Sequence, residues 1–193
     1  MLSQILVSTL YLVSTFYLTV VLLRFLLQLA RADFYNPICQ FVVKATNPPL
    51  NPLRKIIPSW GKVDGAALVL AILIQALVYV GILAAFGEIG RVSPVIIFAW
   101  SVIKVVSIIV KIYFWSILAV VILSWIAPAA SHPGAQLLMQ LTEPVMAPVR
   151  KVVPSLGGLD LSPIVVFLIL NVVTVVIENL SRSAGMYQIG LPL

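Results

Sequence analysis

The segment from Thr46 to Ala66, TNPPLNPLRKIIPSWGKVDGA, returns as TEPVMAPVRKVVPSLGGLDLS from Thr142 to Ser162. With a constant shift of 96 residues and no gap, Thr46, Pro48, Pro52, Arg54, Lys55, Pro58, Ser59, Gly61 and Asp64 fall on Thr142, Pro144, Pro148, Arg150, Lys151, Pro154, Ser155, Gly157 and Asp160. The same shift lays Asn36-Pro37 on His132-Pro133 and Gln40 on Gln136. A chain written this way is two copies of one supersecondary unit, and any fold must suit both copies.

Long apolar runs flank each motif. The first goes from about residue 3 to 30 with no charge before Arg24, and at ~1.5 Å per residue it is long enough for a hydrocarbon core of ~30 Å. It carries no positive residue ahead of it and is about twice the length of a signal-peptide apolar region, so it reads as an anchor although Ala30-Arg31-Ala32 has the form of a cleavage site. The second span is expected at about 66–86. The third is expected at about 96–127, after Ser93-Pro94, with a short surface segment ahead of the span proper. The fourth is expected at about 163–180, after Ser162-Pro163; both Ser-Pro steps read as a cap followed by a first-turn proline. With 62% hydrophobic and 9% charged residues against the ~25% charge of soluble chains, the solvent is lipid. The expected fold is an all-α membrane protein with four transmembrane helices in two tandem, parallel hairpin repeats, 1–92 and 93–193, with short interfacial helices in the motif loops.

Two spans per unit send both copies into the membrane in the same direction, so both motif loops lie on one face. Arg24, Arg31, Lys44, Arg54, Lys55, Lys62, Arg150 and Lys151 fall on that side, against Arg91, Lys104, Lys111 and Arg182 on the other. Eight cations against four place the motif loops in the cytoplasm and both termini outside.

Within each loop, Asn36-Pro37 opens a helical stretch with Ile38, Phe41, Val42 and Ala45 apolar and Gln40 and Lys44 opposite. His132-Pro133 opens its counterpart, with Leu137, Leu138 and Leu141 apolar and Gln136 and Gln140 polar. Such helices are expected to lie in the interface with the apolar side toward acyl chains. Pro48, Pro52 and Pro58, and likewise Pro144, Pro148 and Pro154, remove backbone donors and predict a stiff, kinked connection in place of a continuing helix. Arg54-Lys55 and Arg150-Lys151 sit between apolar pairs, which suits the headgroup layer. Two readings are open: a positive-inside anchor, or a site for anionic lipid or a partner. Asp64 and Asp160 stand before the second span of each unit, where a carboxylate caps free N–H groups, and pairing with Arg54 or Arg150 is their second role.

Inside the spans Lys104, Lys111 and Glu178 are ionisable, and a central lysine costs ~2.5–3.5 kcal/mol on the insertion scale. Register suggests a seam within the second hairpin, with Lys104 meeting Glu178 and Lys111 meeting Asn171. The repeat places Ser8, Thr15 and Gln75 at the positions of Lys104, Lys111 and Asn171, so the first copy keeps an uncharged stripe there. Interhelical glue and a polar path for ions are both open readings. Catalytic signals are weak. Cys39 has no second thiol, His132 precedes a proline where capping accounts for it, and Ser59 and Ser155 have no base at an evident spacing. No cofactor, metal or nucleic-acid site is expected.

The repeated motif resembles the YggT family of small integral membrane proteins, found in bacteria and in chloroplast relatives of the YlmG and cytochrome-assembly type. The resemblance is strongest in LSWI at Leu123 to Ile126, LTEPVMAPVRKVVP at Leu141 to Pro154 and GGLDLSPIVVFLIL at Gly157 to Leu170. The first copy departs from it, with Leu27-Gln28-Leu29 in place of the Ser-Trp step and Gly65-Ala66-Ala67 in place of Leu-Ser-Pro. The resemblance implies a multi-pass protein of the bacterial inner membrane without enzymatic activity. It also implies a link to osmotic-stress tolerance in bacterial relatives and, in photosynthetic ones, roles in membrane-complex assembly, haem attachment or division. The expected function is a scaffold or assembly factor binding anionic phospholipid and a membrane-protein partner through Arg54, Lys55, Arg150 and Lys151. A homo-oligomer is left open, and a small ion or osmolyte transport component is the alternative.

Overall fold

The computed structural model describes residues 2–58, 61, 63–126, 132–153 and 160–186. Among the described residues six helices follow one another: α1 Leu2–Leu29, α2 Pro37–Arg54, α3 Gly65–Ala85, α4 Pro94–Ile126, α5 Pro133–Arg150 and α6 Ser162–Ser183. Four are long and apolar enough to cross a membrane, over Ile5–Leu29, Gly65–Ala85, Pro94–Ile126 and Ser162–Ser183. The all-helical, four-span fold is as expected. The third span differs in being one unbroken helix of 33 residues, beside 21 in α3, because its apolar run holds no proline or glycine after Pro94. Its expected end at residue 127 lies outside the described residues.

The 96-residue shift carries α2 onto α5 at both ends. Each begins on a side-chain cap: the Ile38 N–H donates to Asn36 Oδ1 (2.9 Å) and the Gly134 N–H to His132 Nδ1 (3.1 Å). Ser93 caps α4 as expected, accepting from the Ile96 N–H at 3.4 Å. Ser162 does not cap α6. It is the first helical residue, and its own N–H is received by Asp160 Oδ1 at 2.8 Å, so the carboxylate two residues earlier does the work. α1 stops at Arg31, whose φ of 54° is left-handed; the Ala32 N–H returns to Leu27 O (2.9 Å) and the Arg31 N–H to Gln28 O (3.1 Å), the paired bonds of a Schellman turn.

Within each unit the two spans pack together and the motif helix packs against both: α1, α2 and α3 in the first, α4, α5 and α6 in the second. The units join because α4 lies against α3 and α1, while α2 touches α5. Val78, Tyr79, Ile82 and Leu83 of α3 meet Ile97 and Trp100 of α4, with Met186 sealing the cluster. Tyr79 and Trp100 are edge to face at 6.1 Å, and Trp100 Nε1 donates to Ala184 O at 2.8 Å. In lipid such close packing and interhelical hydrogen bonds supply the association that water would otherwise drive.

Candidate functional site

Contrary to the kinked connection expected, α2 runs unbroken through Pro48, Pro49 and Pro52, and α5 through Pro144 and Pro148. The physical reason is visible one carbonyl at a time. A helical carbonyl can receive an N–H from three or four residues ahead, so a lone proline leaves one donor in place. Ala45 is followed at both distances by proline, Pro48 and Pro49, and its carbonyl instead accepts the Tyr17 hydroxyl of α1 at 3.3 Å. About two turns along α1, the buried Arg24 donates from Nη1 to Val43 O (3.1 Å), Thr46 Oγ1 (2.7 Å) and Asn47 Oδ1 (2.7 Å). α1 thus clamps α2 where its own ladder is weakest. The buried Thr46 hydroxyl donates back to Val42 O at 2.7 Å, and Thr142 to Leu138 O at 2.9 Å.

At the end of each motif helix the repeated arginine meets the repeated aspartate. Arg54 bonds Asp64, whose side chain is fully buried and which also receives the Ala67 N–H at 3.2 Å to cap α3. Arg150 binds Asp160 (3.1 Å) and, in addition, Glu143 (2.8 Å), all three in contact with solvent. Partial burial works to raise the Asp160 pKa, but hydrogen bonds from Ser162 and the charge of Arg150 outweigh it and hold the carboxyl below its ordinary value. The arginines are therefore joints between the motif helix and the next span. Lys55 and Lys151 are the helix C-caps and are exposed, each followed by an apolar residue that also projects outward, Ile56 at 79% and Val152 at 82%. Of the prolines, Pro48, Pro52, Pro58, Pro144 and Pro148 lie on the exposed side, and Pro154 falls outside the described residues.

The two copies differ in charge. The first motif carries Arg54, Lys55 and Lys62 against Asp64, and Arg24 reaches it from α1. Around the second stand Arg150 and Lys151 against Glu143 and Asp160, with Val120 at the position of Arg24 and Glu143 at that of Asn47. From sequence alone Arg24 bears only on topology. Under the repeat Tyr17 falls on Tyr113, an identity that marks it, whereas nothing in the repeat marks Arg24.

The motif helices also meet each other. Asn36 Nδ2 donates to Pro133 O (2.8 Å) and the Asp33 N–H to Gln140 Oε1 (2.9 Å), so both motifs stand side by side at one end of the bundle. Their apolar stripes are divided between bundle and surroundings, where the sequence suggested a single lipid-facing side. Val42, Leu137 and Leu141 are buried against the spans, with Cys39 and Leu50 joining them, while Ile38 and Phe41 point outward.

The polar seam also differs from expectation. Lys104 is buried, but turns to α1, where it bonds the Tyr11 hydroxyl and stands 4.8 Å from the Tyr11 ring centre. It does not pair with Glu178, because α4 presents that face to the first unit and α6 packs on a different one. A cleft between α1 and α4 holds Tyr11, Thr15, Thr19, Lys104 and Lys111. Lys111 and Asn171, expected to meet, do line one groove between α4 and α6 together with Thr174, and Ser107, Lys111, Thr174 and Glu178 line a recess beside it. The four seam residues thus stand on two sides of α4. Among the described residues no group of three or more His, Cys, Asp or Glu is placed to hold a metal.

Comparison with known proteins agrees with this architecture. The family model described as CCB3/YggT matches twice, at residues 3–85 and 99–181, once over each pair of spans. An uncharacterized protein of Pseudomonas aeruginosa is 51% identical over 175 residues, covering 89% of this chain and 88% of its own. An uncharacterized Vibrio alginolyticus protein is 43% identical over 84% of this chain and 86% of its own, and the uncharacterized YggT of Escherichia coli K12 is 36% identical over 88% and 87%. No solved structure matches the chain. With both halves matched and relatives aligned along most of its length, the chain belongs to the CCB3/YggT family.

Proposed function

We propose that the protein is a non-enzymatic scaffold or assembly factor of the inner membrane, whose motif face binds anionic phospholipid and a membrane-protein partner, with osmotic-stress tolerance as the setting the family resemblance implies. One observation carries the reading: with both arginines engaged to aspartate, Lys55 and Lys151 remain as exposed cations at the same end of the bundle, each beside an outward apolar residue. A cation flanked by an apolar side chain matches the boundary between headgroup phosphate and acyl chain. Helix C-termini, with their partial negative charge, favour lysine there without engaging its ammonium fully. Three cations against one anion make the first motif the stronger anion site, whereas the second is balanced.

Thermal unfolding in neutral-lipid nanodiscs, with and without phosphatidylglycerol, tests the reading. The anionic lipid should raise the midpoint, and Lys55→Ala should remove more of that rise than Lys151→Ala. Equal midpoints in both lipids, or a rise untouched by the double variant, would sink it. A transport role has less support, since Lys104, Lys111, Asn171 and Glu178 divide around α4 and form no single path.

A further inference from the structure

The two units meet head to tail. α4 lies in the groove between α1 and α3, but the reciprocal contact, α1 in the groove between α4 and α6, is not made within the chain, where α6 packs on α4 and α5. A heterologous contact between equivalent units leaves one unused copy of each surface. The repeat identifies both. On the inserting helix Ser101, Lys104, Ile108 and Ile112 of α4 are buried; their counterparts Ile5, Ser8, Leu12 and Phe16 of α1 are exposed, Leu12 at 72% and Phe16 at 71%. On the receiving helix Gln75, Val78, Tyr79 and Ile82 of α3 are buried; at their counterparts on α6, Asn171 is exposed, Thr174 and Glu178 are half-buried and Val175 is 49% exposed.

The unused receiving surface is the groove of about 530 Å³ between α4 and α6. Its polar groups separate it from an ordinary lipid-facing wall. Asn171 is near the middle of α6 and its counterpart Gln75 is buried, and neither Asn171 nor Glu178 makes a side-chain hydrogen bond among the described residues. Acyl chains offer such groups nothing. α1 offers the exposed Ser8, which stands at the position of Lys104. We propose that a second copy of the chain occupies this groove, its α1 lying against α4 and α6 as α4 lies against α1 and α3, in a head-to-tail oligomer.

Cross-linking in native membranes tests this. Cys39 is buried, with its thiol pKa pushed up by that burial and then by the charge of Asp33, so the natural chain serves as the unreactive background. Ser8→Cys and Val175→Cys are carried on differently tagged chains, co-expressed, and treated with a short-spacer bis-methanethiosulfonate. A mixed dimer is expected, with little product when either variant is expressed alone, and a chain carrying both cysteines should give a ladder ending at the closed assembly. Adding Leu168→Trp, which fills the groove, should abolish the mixed band. Cross-links as strong within each single variant as between them would indicate a two-fold contact and overturn the proposal. So would the natural chain behaving as a monomer in nanodiscs assembled without excess lipid.

Discussion

At the scale of single residues, the repeat creates a controlled comparison, because the same arginine–aspartate pair is buried in one copy and wet in the other. Removing one partner of a buried pair strands the other charge and costs about 3–5 kcal/mol, whereas an exposed pair is worth about 0–1 kcal/mol. The Asp64 side chain is fully buried and that of Asp160 is 46% exposed, while Arg54 keeps 32% exposure and moderates the first figure. Asp64→Ala should therefore destabilise by about 3 kcal/mol and Asp160→Ala by under about 1 kcal/mol, read from denaturant unfolding in matched micelles. The Asp160 contribution has a definite pH sense. Its folded pKa is lowered, so the stabilisation is present at neutral pH and disappears as pH falls through and below the ordinary carboxylate range. The difference between the natural chain and Asp160→Asn should accordingly shrink in acid; a difference that grows would contradict the assignment. These residues were legible in the sequence through their repetition, down to the capping and pairing roles. Their burial was not, because identical motif letters say nothing of Arg24, which stands beside only one of them.

At the scale of elements, the spans were readable because an apolar run has few alternatives in lipid. The motif helices run on through prolines that, by local chemistry, should end them. What overrides that chemistry is a neighbour twenty-odd residues away supplying the missing donor. The sequence does hold that donor, as a tyrosine retained in both copies, but without a contact its purpose is invisible. A double-mutant cycle isolates the effect. Tyr17→Phe should cost about 0.5–1.5 kcal/mol in the natural chain. In a Pro49→Ala background, where residue 49 regains an N–H for Ala45 O, the same change should cost markedly less. Equal losses in both backgrounds would mean that the hydroxyl serves something other than the interrupted ladder.

At the scale of the whole molecule, the 96-residue repeat established the parallel hairpins but not how they dock, since sequence identity relates the units without orienting them. The polar stripe was assigned to one hairpin for that reason. Lys104 instead crosses between units to Tyr11, while Glu178, its expected partner, stands with Lys111 on another side of α4, beside the groove that Lys111 shares with Asn171. What no local pattern encodes is which face of α4 each unit receives.

The lengths of the spans have a consequence of a different kind. α4, at 33 residues, is ~50 Å long, and it is packed against α3, which at 21 residues is ~32 Å long. A bilayer cannot be matched to both by a rigid, upright bundle. The long helix must lean or the surrounding lipid must stretch, each at a modest cost that rises with mismatch. Hydrocarbon thickness thus acts on this protein as a mechanical variable. In nanodiscs of stepped acyl-chain length, unfolding stability should pass through an optimum with the lean of α4 decreasing as the bilayer thickens, and a flat response would show that the helix ends lie outside the hydrocarbon.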